Sequence, residues 1–286
     1  MKLHHLALTD QLPLTCSRKG TCCFGNRVLL NPWELANLAQ HKQMSLTNFK
    51  KTHTEAGGIV LKFEGKEDQR GKSACNQYIE NFGCSVHEGR PLACRLFPIA
   101  RQIQNGNVSY GYQGTKFPCL NGCPEVIDLP KLSVKDYLTS QQTSVFEQAQ
   151  DAYLEIMQNL ADIGMMLLLD TELVQMDAKN TLAAWKQISQ ESIDELSVNI
   201  GKDWLTALLE PPMAFSEPIA FSNAHQEHLQ SLAQNQIDQI QDLVQLKETS
   251  LLFIRIALYL AHAIGADSNT LCELWIQIAK ENGAHD

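Results

Sequence analysis

The chain has 286 residues, of which 44% are hydrophobic, enough for one large or two modest domains with buried cores. Its 32 acidic residues outnumber its 23 basic ones, and this negative balance argues against nucleic acid as a partner. Eight of the nine cysteines lie between Cys16 and Cys123, so this part of the chain is where metal or redox chemistry is expected.

The first 130 residues predict short elements separated by irregular segments. In chain order these are two helices, a strand and a hairpin, at residues 31–40, 46–52, 59–63 and 99–112. Pro32 at a first helical position and Ser45 as an N-cap indicate where the helices begin. Asn105-Gly106, between two strand-forming runs, is typical of a type I′ hairpin turn.

From residue 131 onward, apolar residues recur at the three- and four-residue spacing of amphipathic helices. The clearest run covers residues 145–169 and places one set of side chains on one face: Phe146, Ala149, Tyr153, Ile156, Leu160, Ile163 and Leu167. Another helix is predicted to begin near residue 133, and others cover residues 181–188, 193–209, 225–263 and 271–279. Pro211, Pro212 and Pro218 interrupt this pattern with a loop of about ten residues.

These elements predict an α-rich α+β protein. An irregular, cysteine-rich metal-binding domain with a small hairpin is expected at residues 1–130, followed by an all-helical bundle at residues 131–286. Charge divides at the same place, because the first part has 15 basic and 10 acidic residues and the second has 8 and 22. An acidic helical surface is usually a solvated face, and it is also where we expect a protein substrate or partner.

No membrane segment or export signal is predicted. Residues 1–14 lack an apolar core behind a basic start, unlike a signal peptide. The longest apolar stretch, residues 251–266, contains Arg255 and His262. It is too short and too charged to span a bilayer, so we interpret it as a buried helix. We therefore expect a cytoplasmic protein without a membrane partner.

Eight cysteines are candidate metal ligands: Cys16, Cys22, Cys23, Cys75, Cys84, Cys94, Cys119 and Cys123. In a reducing cytoplasm, closely spaced cysteines are more often metal ligands or redox groups than disulfides, which remain the alternative. Thiolates favour zinc, copper(I) and iron–sulfur clusters. Four of them suit either a tetrahedral zinc ion or a cubane cluster. Only Cys119 and Cys123 have the short spacing common in zinc folds.

Cys22 and Cys23 are adjacent, which bears on how many metal atoms the cysteines hold. In extended backbone their side chains would point in opposite directions, so we do not expect both to bind one mononuclear ion. Either one of them binds while the other packs, or each serves a separate metal atom. The pair therefore favours a polynuclear or two-site centre.

Two runs of the sequence carry a resemblance to a known family. They are Cys16-Ser-Arg-Lys-Gly-Thr-Cys22-Cys23 and Cys84-Ser-Val-His-Glu-Gly-Arg-Pro-Leu-Ala-Cys94-Arg-Leu-Phe-Pro98. In this order they resemble the bacterial YkgJ-like cysteine-cluster family of the CxxCxxCC type, whose members are described as zinc- or iron-chelating. The resemblance covers about residues 14–124. It implies a metal centre there and says little about the helical half.

Cys123-Pro124-Glu125 also resembles a segment of the flagellin lysine methylases, which share a related cysteine cluster. This resemblance implies an iron–sulfur cofactor, with a 4Fe–4S cluster favoured over zinc. It also implies S-adenosylmethionine as the methyl donor of a protein lysine N-methylase. The glycine-rich loops that hold dinucleotides and nucleoside triphosphates are missing from the sequence, so any methyl transfer would need an unconventional site.

The sequence departs from the family pattern at two positions. Lys19 stands where the family has its second cysteine, and His87 stands where it has a tyrosine. Cys123 is a candidate to replace the missing ligand. His87 is a candidate nitrogen ligand, although a lone histidine near cysteines is more often a hydrogen-bonding neighbour.

Arg90 and Arg95 are candidate cofactor-binding residues. Each guanidinium has donors for thiolate or sulfide and a positive charge that would offset a four-thiolate centre. The alternatives are a bidentate grip on a substrate carboxylate or phosphate, and an ordinary salt bridge with Glu88 or another acid.

Three functions follow from these patterns. The leading one is a metalloprotein with an iron–sulfur or zinc centre; the others are the lysine N-methylase and a non-catalytic metal carrier or sensor whose acidic helices dock a basic partner. Whether the chain is an enzyme stays open. His225 and His228 are interpreted as surface residues, and Cys272 as a small buried hydrophobic residue.

Overall fold

The computed structural model describes residues 3–17, 19–104, 106–114 and 116–285. Within them, nine short strands occur: β1 Leu3–Leu6, β2 Gln11–Leu12, β3 Thr54–Glu55, β4 Val60–Leu61, β5 Tyr78–Ile79, β6 Gly83–Cys84, β7 Ala100–Gln104, β8 Asn107–Gln113 and β9 Leu132–Ser133. The α-helices of the same residues are α1 Pro32–His41, α2 Leu46–His53, α3 Leu92–Leu96, α4 Val134–Ser140, α5 Thr143–Leu169, α6 Leu173–Met176, α7 Ala178–Ile188, α8 Ile193–Ile200, α9 Lys202–Leu209, α10 Pro218–Ile237, α11 Leu243–Ala263 and α12 Ser268–Glu281. The α-rich α+β class is confirmed.

The chain forms two compact units whose segments alternate along the sequence. The first contains Met1–Val28, Gln40–Met44 and Leu61–Glu147, and the second contains Leu29–Ala39, Ser45–Val60 and Gln148–Asp286. All eight candidate ligand cysteines belong to the first unit, and Cys272 belongs to the second. The domain boundary expected at residue 130 stays a prediction.

The first unit contains the predicted hairpin. Strands β7 and β8 pair antiparallel from Ala100 opposite Gly111 to Gln104 opposite Asn107. Gly106 has the positive φ, 75°, that the turn requires, while Asn105 lies outside the described residues. Strand β1, which the sequence did not predict, pairs with the other side of β8 and completes a three-stranded sheet.

The two predicted short helices are confirmed as α1 and α2. The Ser45 hydroxyl caps α2 by accepting the N–H of Asn48 at 3.3 Å. The predicted strand at residues 59–63 is wrong in length, because only Val60–Leu61 is extended. The residues before it form a 3-10 turn in which Gly57 has a φ of 72°, a backbone conformation that an extending strand cannot include.

The second unit is built around the buried helix α11. Helices α7, α8 and α12 pack against it, and Phe253 to Ala261 include many fully buried side chains, as predicted for residues 251–266. Two predicted helices are each broken into two. Gly201, with a φ of 84°, separates α8 from α9, and residues 238–242 separate α10 from α11.

Helix α5 carries the clearest predicted stripe. Six of its seven predicted core residues are buried, and Ile163 is half-buried. By length and composition α5 could cross a membrane, and half of its most apolar 18-residue window is buried inside the protein. Asp151, Glu155 and Asp162 lie exposed on the opposite face, an amphipathic arrangement typical of a helix that packs on a protein core.

The interpretation of His225 as a surface residue is wrong. His225 is fully buried in the second unit, where its Nδ1 lies 2.8 Å from the Tyr153 hydroxyl and its Nε2 lies 3.0 Å from the Ala207 carbonyl oxygen. Because a carbonyl can only accept, Nε2 carries the proton and Nδ1 accepts from Tyr153. Burial lowers the pKa of His225 to about 4. Cys272 is buried as predicted, and its thiol donates to the Trp185 carbonyl at 3.3 Å.

Candidate metal centre

The adjacent cysteines lie in a 3-10 turn, Thr21–Cys23, so the assumption of extended backbone at this point is wrong. Each of the two thiols shifts the pKa of the other, so they interact rather than point apart. A hydrogen bond with Cys23 lowers the pKa of the Cys22 thiol to about 7, and the same bond, with burial, raises the pKa of Cys23. The pair therefore retains a proton on Cys23 and favours a thiolate on Cys22.

Backbone hydrogen bonds bring Cys75 and Cys84 to this turn. The N–H of Cys75 donates to the Cys23 carbonyl at 2.7 Å. Three residues later the chain enters β5, whose Tyr78 is paired with Cys84 in β6. Burial raises the pKa of Cys75 to about 11 and also raises that of Cys84, as expected for thiols withdrawn from water.

Cys94 lies on the short helix α3, after the loop that carries Cys84. Its N–H donates to the Pro91 carbonyl at 2.9 Å, so the proline that begins this turn also fixes the cysteine. Burial is the main cause that raises the pKa of Cys94, and the neighbouring thiols of Cys75, Cys84 and Cys22 raise it further. Four segments of the chain thus deliver cysteines to one region.

Six cysteines line a cavity of about 720 Å³: Cys16, Cys22, Cys23, Cys75, Cys84 and Cys94. Its other walls include four aromatic rings, Phe63, Tyr78, Phe82 and Phe97, and the imidazoles of His41 and His87. His87 is exposed, and its role as a ligand stays a prediction. The lining of the cavity therefore combines soft sulfur donors with aromatic and imidazole side chains.

Two cations, Arg90 and Lys42, lower the pKa values of thiols that line this cavity. Arg90 is held by hydrogen bonds from Nε to the His87 carbonyl at 2.9 Å and from its terminal nitrogen to Gln141 at 3.2 Å. Its charge lowers the pKa values of Cys22, Cys84 and Cys94. This electrostatic effect is the one expected of a counter-charge to a thiolate centre.

Lys42 is the second cation, and sequence reasoning missed it. Its Nζ donates to the Ser85 hydroxyl at 3.0 Å, and its charge lowers the pKa values of Cys75 and Cys84. Lys42 is far from every candidate ligand in sequence and belongs to no motif. Only the return of residues 40–44 to the first unit brings it there.

Arg95 makes contacts of another kind. It is buried, and its guanidinium donates to the backbone carbonyls of Arg90 at 2.8 Å, Gln141 at 2.7 Å and Glu88. The same group lies 4.0 Å from the centre of the Phe146 ring. These contacts fix the loop that carries Arg90 to the start of α5, and a direct role of Arg95 in cofactor binding stays a prediction.

Cys119 and Cys123 do not appear among the described residues that line the cavity. They lie on two consecutive 3-10 turns, and the Cys123 N–H donates to the Cys119 carbonyl at 2.8 Å. The Cys123 sulfur lies 2.9 Å from the Thr21 hydroxyl. Lys19, which stands at the position of the family's missing cysteine, is paired with Glu125 at 2.9 Å.

The potential ligands of the cavity fit a soft metal, because most of them are thiols. None of the nine cysteines, all of which lie in the described part of the chain, forms a disulfide bond. Over residues 3–17, 19–104, 106–114 and 116–285, no three His, Cys, Asp or Glu side chains are already positioned to hold a metal ion.

Comparison with known proteins agrees with the donor chemistry. Residues 15–113, about a third of the chain, match the sequence model of the CxxCxxCC family, described as "Putative zinc- or iron-chelating domain". Searches of curated proteins and of solved structures gave no significant match. The match supports metal chelation by these residues and does not distinguish an iron–sulfur cluster from zinc. Residues 15–113 are therefore similar to the CxxCxxCC family.

Proposed function

We propose that the cysteine-lined cavity binds an iron–sulfur cluster, and that a 4Fe–4S cluster is favoured over zinc. The observation that carries this proposal is the convergence of six cysteines on one cavity of about 720 Å³. Cys22, Cys75, Cys84 and Cys94 are the best candidates to hold the cluster, because they come from separate segments and all of them line the cavity.

The size of the cavity supports a cluster over a single ion. A structural zinc ion is enclosed by four side chains with metal–sulfur distances of about 2.3 Å, and it needs no cavity beside them. A cubane contains four iron and four sulfide ions between its thiolates and requires space of its own. Lys42 and Arg90 would reduce the electrostatic cost of gathering four thiolates around either group.

Elemental analysis after purification without oxygen tests this proposal. We expect about four iron and four sulfide ions per chain, with the broad visible absorbance of a cubane. Stoichiometric zinc without sulfide would contradict the cluster and leave chelation standing. A folded, metal-free protein with paired disulfides would contradict both.

The aromatic walls of the same cavity support a second candidate, an S-adenosylmethionine-dependent protein lysine N-methylase. Phe63, Tyr78, Phe82 and Phe97 line the same cavity as the thiols, and aromatic rings attract sulfonium and ammonium cations. Calorimetry of the cluster-loaded protein with S-adenosylmethionine tests this candidate, with S-adenosylhomocysteine, which lacks the sulfonium charge, as the control. Absence of heat with both would remove it.

A further inference from the structure

The hairpin formed by β5 and β6 is anchored at its base. The ring of Tyr78 packs on Phe24 with ring centres 5.1 Å apart, and the N–H of Ser85 donates to the Gln77 carbonyl at 2.8 Å. The Gln77 side chain is buried and accepts from the Ser85 hydroxyl at 3.3 Å. These contacts fix the part of the hairpin that carries the candidate ligand Cys84.

The tip of the same hairpin has weaker support. The N–H of Phe82 closes a turn by donating to the Ile79 carbonyl at 3.1 Å. Asn81, the third residue of this turn, has a positive φ of 63°, which asparagine tolerates at that position. Glu80 pairs with Lys66 at 3.3 Å, but both side chains are exposed, and exposed ion pairs contribute little stability. The tip is therefore held less tightly than the base.

Two apolar side chains of the tip are exposed, and only one of them belongs to the cavity of the thiols. Phe82 is 74% exposed and lines this cavity. Ile79 is 50% exposed and is not among the described residues that line it. Because burial of a phenyl ring against other surface is favourable, the position of Phe82 at the mouth of the cavity leaves a large apolar surface that closure would cover.

We propose that Phe82 is the gate of the cavity: when a metal centre is bound, the tip of the β5–β6 hairpin closes and the Phe82 ring covers the centre. Gly83 is the hinge, because its φ is 100° and no described atom lies within 4 Å of the position that a Cβ would take. The closed ring slows the approach of water, oxygen and chelators to the metal. This inference rests on the proposed function only in requiring a metal centre in the cavity, whether that centre is a cluster or zinc.

Release of metal to EDTA from the metal-loaded chain, followed by elemental analysis of the protein after the chelator is removed, tests the gate. Phe82→Ala should release metal about tenfold faster than the parent chain, because burial of the ring no longer opposes opening. Phe82→Leu, which keeps an apolar side chain, should recover part of the difference. Ile79→Ala changes the same tip outside the cavity, so this matched control should release metal at the parent rate.

Fluorescence gives a second readout that does not depend on metal release. All four tryptophans of the chain belong to the second unit, so the tryptophan introduced by Phe82→Trp reports on the hairpin after the parent spectrum is subtracted. Its emission maximum should move to shorter wavelength when metal binds, because the closed ring loses contact with water. The emission maximum of Ile79→Trp should not move.

Equal release rates in Phe82→Ala and Ile79→Ala would overturn the gate, and so would an emission maximum of Phe82→Trp that is the same with and without metal. Zinc in place of a cluster would contradict the proposed function alone, since both readouts apply to either metal. A chain that binds no metal would overturn both proposals.

Discussion

The N–H of Cys75 donates to the carbonyl of Cys23 at 2.7 Å, so two candidate ligands distant in sequence are joined by main-chain atoms. An isolated β-bridge between Phe24 and Ala74 extends the same pairing. Because the backbone holds these positions, a cysteine here can be replaced without losing the link. Substitution of a thiol should thus report on metal binding more than on the local fold.

Cys94→Ser should lose most of the bound metal. Serine keeps the backbone hydrogen bond to Pro91 and removes only the thiolate. Since binding energy at a metal site is also folding energy, we expect the melting temperature to fall by roughly 10 °C. Metal analysis and thermal denaturation check this, with Cys272→Ser as the control that should keep its metal. Equal metal contents in both variants would exclude Cys94 as a ligand.

Lys42→Gln should shift metal binding to higher pH. The charge of Lys42 lowers the pKa values of Cys75 and Cys84, so its removal raises them. A thiol must lose its proton to bind metal, and affinity at neutral pH should therefore fall, by roughly tenfold. Zn²⁺ titrations across pH measure the midpoint. Lys66 is exposed and paired with Glu80, so Lys66→Gln should leave the pH midpoint of Zn²⁺ binding unchanged. Equal shifts of the midpoint in both variants would argue for a general charge effect.

Arg95→Ala should destabilise the first unit by about 3 kcal/mol, because three backbone carbonyls lose a charged donor that is itself buried. The fork of the guanidinium reaches carbonyls on two segments, which an ammonium group cannot do, so Arg95→Lys should recover only part of the loss. Denaturant unfolding measures both. If Arg95 acts through the metal instead, unfolding of the metal-free protein will not distinguish the variants from the parent chain.

His225 should make the second unit less stable in acid. Burial holds the pKa of His225 at about 4 in the folded chain, whereas the unfolded chain titrates near 6.5. As pH falls through this window the unfolded chain takes up a proton first, so folding stability should drop by about 3 kcal/mol and then level off below pH 4. His225→Gln should flatten the pH dependence of the free energy of unfolding, which denaturant unfolding measures. An unchanged pH dependence would assign it to other groups.

Local signals predicted local structure well. The cap at Ser45, the turn at Gly106 and the apolar stripe of α5 each depend on a few neighbouring residues, and each was found where expected. The cysteines predicted the donor chemistry for the same reason, because sulfur content can be read without knowing the fold. The strand predicted at residues 59–63 was wrong in length, because Gly57 favours a turn over extended backbone.

Contacts between residues that are distant along the chain could not be predicted from the sequence. Lys42 carries no motif, and its charge matters only because its segment returns to the thiols. His225 looked like a surface residue because its partners, Tyr153 and Ala207, come from other helices. The Thr21–Cys23 turn replaces the extended backbone expected for the adjacent cysteines, and residue spacing predicts side-chain direction only when the backbone type is known.

The contacts of Arg95 also set a limit on how the chain can be divided. Gln141 and Phe146, which hold its guanidinium, and Tyr137, whose hydroxyl donates to the carbonyls of Arg95 and Phe97, all follow residue 130. A fragment ending at residue 130 would keep every candidate ligand and lose the side chains that support the Cys94 helix. A fragment intended for metal studies should therefore extend at least to Glu147, where the first unit ends.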